Sequence, residues 1–294
     1  MSFDAFIGTA WADHADRPEE VATRLAGALE LLETPSDIPP YARIVTHVYG
    51  EHLARWNAGV ELLQSLRNGP TWDGGEEAAR AVTRGIAVLR YAGSRDDSLA
   101  QLQAEDRIAV LAVASSALLG QREFSRSIAA YDEALRLAAQ GLPANSPALR
   151  SLAIGGNNLA AGLEEKIDRD DIETQGMVAA AEGGLKYWKL AGTWLEEERA
   201  EYRLARSLLQ AENPHGAISH ARRCIEVCSA NASAPLERFF GYAVLAVAQK
   251  RTGDEHGFSA SRAEALRFFE QVAADERRWC ESELKELGNP ELVR

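Results

Sequence analysis

The sequence predicts an all-α fold built as a stack of antiparallel helix pairs, and three observations predict it. Alternating Val/Ile/Thr runs bounded by turn residues, the mark of strands, do not occur. Apolar residues instead recur with a helical period, interrupted at short intervals by Pro, Gly, Asn or Asp. Finally, a motif with a small residue returns along the chain as Ala114-Ser115, Leu159-Ala160, Leu204-Ala205 and Leu245-Ala246, at spacings of 45, 45 and 41 residues. Leu118, Leu163 and Leu208 follow one turn later, and Gln249 breaks that series. A small residue recurring at one place in each unit is what a close helix crossing requires, and a fixed period is the signature of repeat architectures.

The elements follow in order. A first pair is expected near 3–14 and 18–33, with Pro18 just inside the second helix, where its missing N–H costs nothing. The segment TPSDIPP (34–40) breaks the chain before a second pair at 40–50 and 53–67. NGPTWDGG (68–75) reads as a linker and is followed by a lone helix over 75–92. Helices then pair over 104–119 and 122–139, 147–165 and 171–191, 195–211 and 214–229, and 235–251 and 256–272. The charged segment ADERRWCESELKEL predicts a terminal capping helix over 274–287. The organisation expected is therefore N-terminal degenerate helix pairs (1–67), a linker with an extra helix (68–103), the repeats (104–272), and a capping helix with its tail (273–294).

Within the repeats, QREFSRSIAAYDEALRLA (121–138) places Phe124, Ser127, Tyr131 and Ala134 at spacings of three, four and three, and AENPHGAISHARRCIEVC (211–228) repeats the shape with Ala217, Ala221 and Cys224. This small-and-aromatic pattern resembles the second helix of a tetratricopeptide repeat. The resemblance covers about 104–272 well and 1–92 loosely. The family's repeat is about 34 residues, so these units are similar to its long-helix variants or to HEAT-like repeats. The resemblance implies a right-handed superhelical α-solenoid whose first helices line a concave, partner-binding face.

Composition narrows the function classes. Apolar residues make up 46% and charged residues 26%, ordinary for a folded soluble chain. The formal net charge of -12, with no run of basic residues interleaved with aromatics, argues against nucleic acid as a partner. Lysine is rare and arginine abundant, as in proteins of GC-rich bacterial genomes. Three cysteines do not suggest a disulfide framework. The N-terminus lacks the basic and apolar regions of a secretory signal, and no window approaches ~18 apolar residues, so no membrane span and a cytoplasmic address are expected.

Gly155-Gly156-Asn157-Asn158 lacks the preceding strand and following Gly-Lys of a phosphate loop, and glycine there suits close helix packing. His47, Glu51 and His52 have a spacing that can place metal ligands on one face, but no third or fourth ligand lies nearby in sequence. His220, Cys224 and Cys228 form one helical stripe, for which core packing is the expected role. Asp168, Asp170, Asp171 and Glu173 lack the central glycine of a calcium loop and read as a turn whose aspartate caps the next helix. No metal, no cofactor and no catalytic nucleophile are expected.

The remaining set is Asn158, Arg199, Tyr202, Arg203 and Arg206. Some tetratricopeptide proteins clamp a peptide's C-terminal carboxylate with asparagine and basic residues from three successive first helices. Asn158, Arg199 and Arg203 match that clamp in the middle and last helices, whereas the first helix offers Ala112 and Ser116 in place of a basic residue and an asparagine. Independently of the resemblance, Arg199, Arg203 and Arg206 fall at i, i+4 and i+7, and guanidinium forks suit carboxylates. Glu196, Glu197, Glu198 and Glu201 on the same helix are the competing partners for these arginines. The function expected is a scaffold or adaptor binding a protein or peptide segment bearing a carboxylate. A ligand-responsive regulatory stack and an unrecognised enzyme are the alternatives.

Overall fold

The computed structural model describes residues 1–94, 99–289 and 291. Residues 95–98 of the expected linker, and residues 290 and 292–294 of the expected tail, lie outside the described set. Among the described residues there is no strand. The helices are α1 (Phe3–Asp13), α2 (Pro18–Ala26), α3 (Ile38–His47), α4 (Trp56–Ser65), α5 (Glu76–Ser94), α6 (Ala104–Gly120), α7 (Phe124–Ala138), α8 (Pro147–Glu165), α9 (Asp171–Ala191), α10 (Trp194–Gln210), α11 (Pro214–Ala230), α12 (Pro235–Arg251), α13 (Glu255–Phe269) and α14 (Glu281–Glu286). They form two compact units, Met1–Gly155 and Gly156–Arg294. No helix among the described residues is long and apolar enough to cross a membrane.

In the first unit, α1 to α5 enclose a core of Phe3, Phe6, Leu25, Ile38, Tyr41, Ile44, Leu63, Val82 and Leu89. Two buried tyrosines satisfy their hydroxyls on α2: Tyr41 donates to the Leu25 carbonyl at 2.6 Å and Tyr49 to that of Ala22 at 3.1 Å. The helix expected over 18–33 ends at Ala26, and a 3-10 turn covers Leu29–Leu31. The helix ends at Gly27, which keeps an ordinary right-handed φ of -91°, although apolar residues continue past it. The helix expected over 40–50 instead runs from Ile38 to His47 and passes into a π turn, Val48–His52, before α4 begins at Trp56.

The helix pairs cross through small buried residues. Ser127, Tyr131 and Ala134 of α7 are fully buried. Ser127 donates to the Ser115 carbonyl of α6 at 2.7 Å, so the small residues sit at the crossing. Tyr131 bridges to α8 by donating to the Leu152 carbonyl at 2.8 Å. A Cβ on Gly155 would lie 2.8 Å from the Ala112 carbonyl oxygen, so this glycine serves close helix approach. In the second unit Ala217, Ala221 and Cys224 are fully buried on α11, and a Cβ on Gly241 of α12 would lie 3.0 Å from the Cys224 sulfur.

The turns within pairs repeat as well. Arg122, Glu212 and Gly253 each adopt positive φ (59°, 57° and 78°) two residues before the second helix of their pair. The next residue's N–H reaches back five positions, Glu123 to Leu118, Asn213 to Leu208 and Asp254 to Gln249, at 3.0, 2.8 and 3.0 Å. Gln249 therefore breaks the leucine series in side chain only; its carbonyl does the same work as those of Leu118 and Leu208. Because Gly253 supplies the left-handed residue without strain, Gly253→Ala is expected to cost about 1–2 kcal/mol. Chemical denaturation should show a lowered midpoint with unchanged slope.

The capping segment differs from expectation. A 3-10 turn covers Arg277–Cys280, and only Glu281–Glu286 is α-helical. Cys280, Leu284 and Leu287 of this segment are buried. Arg262 of α13 pins its end by donating to the Leu287 carbonyl at 2.9 Å and to Asn289 Oδ1 at 2.6 Å.

Candidate functional site

The predicted residues of the second unit lie on α8 and α10. Thr193 starts α10 through a capping box with Glu196, whose carboxylate accepts from the Thr193 N–H at 2.8 Å. Leu204, Ala205 and Leu208 face the core, which turns Arg199, Tyr202, Arg203 and Arg206 toward neighbouring elements.

Each of these four side chains holds a carboxylate. Arg199 donates to Glu237 of α12 at 2.5 Å, and Arg203 to Glu164 of α8 at 2.7 Å. Arg206 donates to both oxygens of Glu286 of α14, at 2.9 and 2.8 Å, and Tyr202 donates to Glu283 Oε1 of α14 at 2.5 Å. Tyr202 also meets Phe240 of α12, with ring centroids 5.3 Å apart. Burial, reinforced by the Glu283 charge, holds the Tyr202 phenol well above its ordinary value, so it remains a donor. Asn158 on α8 is half-buried.

The same-helix glutamates are engaged elsewhere. Glu196 caps α10, Glu197 meets Arg223, Glu198 accepts from the Cys224 thiol at 2.9 Å, and Glu201 accepts from Lys189 at 2.7 Å and contacts His220 at 2.6 Å. Burial alone would raise the Glu201 carboxyl, but the hydrogen bonds from His220 and Lys189 outweigh it and hold the group low. For Glu164 the balance is reversed: burial keeps its carboxyl above the ordinary value despite Arg203 and Ser207.

The other motifs also find places. Asp170 caps α9 by accepting from the Glu173 N–H at 2.8 Å. Cys224 and Cys228 are buried, whereas His220 pairs with Glu201, so the stripe is divided between core and ion pair. The residue that joins the two cysteines is Glu198, and their ligand atoms lie within 4.8 Å of one another. For His47 and His52 a third histidine is present after all: His14, at the end of α1, brings its ligand atom within 4.8 Å of both. Nothing local in the sequence joins His14 to the others, since α2 and α3 intervene.

No family model matches the chain, and no curated protein matches it. In fold the chain is similar to two crystal structures of the "nearly identical TPR-like repeats" of a Podosopora anserina "putative kinesin light chain". The first is 13% identical with a TM-score of 0.47, over 76% of this chain and 97% of that one. The second is 13% identical with a TM-score of 0.46, over 74% and 96%.

Proposed function

We propose that the chain is a protein- or peptide-binding scaffold, and that the face carrying Tyr202 and Arg206 receives a carboxylate-bearing helical segment. The observation that supports this reading is that α14 already sits there, giving Glu283 to Tyr202 and Glu286 to Arg206. A bidentate guanidinium–carboxylate pair beside a phenol donor selects carboxylates by geometry as well as by charge. Buried Leu284 and Leu287 add the apolar anchor that a helix-in-groove contact needs. On this reading α14 is a resident occupant, and a partner with the same chemistry must displace it. That displacement favours a regulated scaffold over a permanently open one.

The test uses the full chain with Leu284→Asp and Leu287→Asp, which removes the anchor of α14. The probe is a labelled peptide copying residues 276–289, followed by fluorescence anisotropy. The released variant is expected to bind it about tenfold or more tightly than wild type, because a site occupied most of the time shows only a fraction of its intrinsic affinity. Adding Arg206→Gln should abolish the gain. Equal binding by wild type and released variant, or binding indifferent to Arg206→Gln, would count against the reading.

A further inference from the structure

Three of the protein's six histidines meet at one place in the first unit. His14 closes α1, His47 ends α3, and His52 ends the π turn that follows. Their ring centroids form a triangle with sides of 4.8, 4.9 and 5.2 Å. All three are half-buried, with Trp11 packed against the rings of His14 and His47 at 5.2 and 5.1 Å.

The hydrogen bonds around the rings decide which nitrogens remain available. His14 Nδ1 lies 2.5 Å from the Trp11 carbonyl oxygen, an acceptor, so Nδ1 carries the proton and Nε2 keeps its lone pair. His47 Nδ1 lies 3.0 Å from Glu51 Oε2, which places its proton there and leaves Nε2 bare as well. His52 Nε2 is 3.1 Å from His47 Nε2. Moving the His52 proton to its own Nδ1 would leave each of the three rings with a bare nitrogen, in a cluster whose ligand atoms lie within 4.8 Å of one another. A metal-bound histidine almost always donates its second N–H to a carbonyl or carboxylate, and His14 and His47 already do so.

The backbone brings the two neighbouring histidines together in an uncommon way. In an α-helix residues five apart diverge, but the wider π turn returns His52 to the face of His47. This turn is held from the side by α6. Gln121 Nε2 donates to the Glu51 carbonyl at 2.8 Å and to that of Gly50 at 3.3 Å. Gly120 permits the approach, because a Cβ there would lie 2.3 Å from the Glu51 oxygen. π turns of this kind are frequent at functional sites.

We propose that His14, His47 and His52 bind one divalent transition-metal ion of the zinc class, with Glu51 orienting His47 and a fourth coordination position left for water or an incoming ligand. Zinc–nitrogen bonds of about 2.0–2.1 Å put tetrahedral ligand atoms about 3.3 Å apart, so a small inward movement of the rings closes the site. Imidazole suits zinc, copper and nickel, whereas calcium and magnesium demand oxygen ligands.

The test is titration of metal-free protein with Zn2+ by calorimetry and with Co2+ by visible absorption. One equivalent is expected to bind, with the intense bands of four-coordinate cobalt. His14→Gln, His47→Gln and His52→Gln should each abolish stoichiometric binding while circular dichroism stays helical. Glu51→Gln should weaken it about 10–100-fold. A Cys224→Ser/Cys228→Ser variant should bind as wild type, which separates this site from the buried cysteines. The proposal is overturned if no stoichiometric binding occurs, if binding survives both His14→Gln and His52→Gln, or if the cysteine variant loses it.

Discussion

Arg203→Met is expected to destabilise the protein by about 3–5 kcal/mol, the usual result of removing one partner from a buried ion pair. Glu164 has a side chain only 9% exposed, and its two oxygens are met by Arg203 and by Ser207, each at 2.7 Å. Without Arg203 the carboxylate keeps one hydroxyl donor and loses its hydrogen-bonded counter-charge, with only the more weakly acting Arg206 left. It then takes up a proton in the folded state, while the unfolded chain still ionises near the ordinary value. The lost stability should therefore grow as pH rises above about 4.5. The double variant Glu164→Leu/Arg203→Met should recover much of the loss, because replacing both partners of a buried pair by apolar groups is often neutral or better. Urea denaturation of both single variants and the double variant gives the coupling directly. Losses that simply add would show that the two side chains do not support each other. It follows that Arg203 cannot be charge-reversed as a neutral probe of binding, and that Arg206, whose side chain is only 12% exposed, needs a denaturation measurement beside its binding test.

The second large effect has the opposite sign. Glu198→Gln is expected to stabilise the protein by about 3 kcal/mol at pH 7. Glu198 is completely buried, with one oxygen lacking any hydrogen-bond partner among the described residues. Burial, with the nearby Glu237 charge adding to it, raises its carboxyl to about 9. The folded protein thus holds Glu198 neutral at pH 7, and the unfolded chain releases that proton above about 4.5. Folding is disfavoured progressively as pH rises between these two values, by about 1.4 kcal/mol per pH unit. Glutamine carries no such proton. The gap in stability between variant and wild type should be near zero below pH 4, widen through neutrality and level off above about pH 9. A gap that does not change with pH would mean that Glu198 is ionised in the fold.

The repeats were legible because their boundaries carry local chemistry. The expected helices 147–165, 171–191 and 235–251 coincide with α8, α9 and α12, which begin at Pro147, at the Asp170 capping box and at Pro235. The N-terminal pairs were less legible because apolar residues continue past the true ends: Leu29, Leu31 and Leu32 extend the pattern of α2 beyond Gly27. The π turn was not readable, since periodicity searches assume an α-helical turn of 3.6 residues.

The arginine stripe was visible from its spacing, but its partners were not. Glu164 and Glu237 lie 39 and 38 residues from their arginines, and Glu283 and Glu286 lie 81 and 80 residues from Tyr202 and Arg206. Same-helix glutamates looked nearer only along the chain. His14 is illegible for the same reason: it stands 33 residues before His47, and its imidazole arrives there through tertiary packing.

The attachment of α14 has a consequence for how strongly anything else can bind. Only residues 270–280 separate it from α13, so the segment never diffuses away from the face it covers. A short tether of this kind presents its end at an effective concentration in the millimolar range. A free segment with identical contacts, present at micromolar levels, would be outcompeted roughly a thousandfold by mass action alone. A successful partner must therefore make contacts that α14 does not, arrive in several linked copies, or meet a chain in which Glu283 and Glu286 have already been drawn elsewhere.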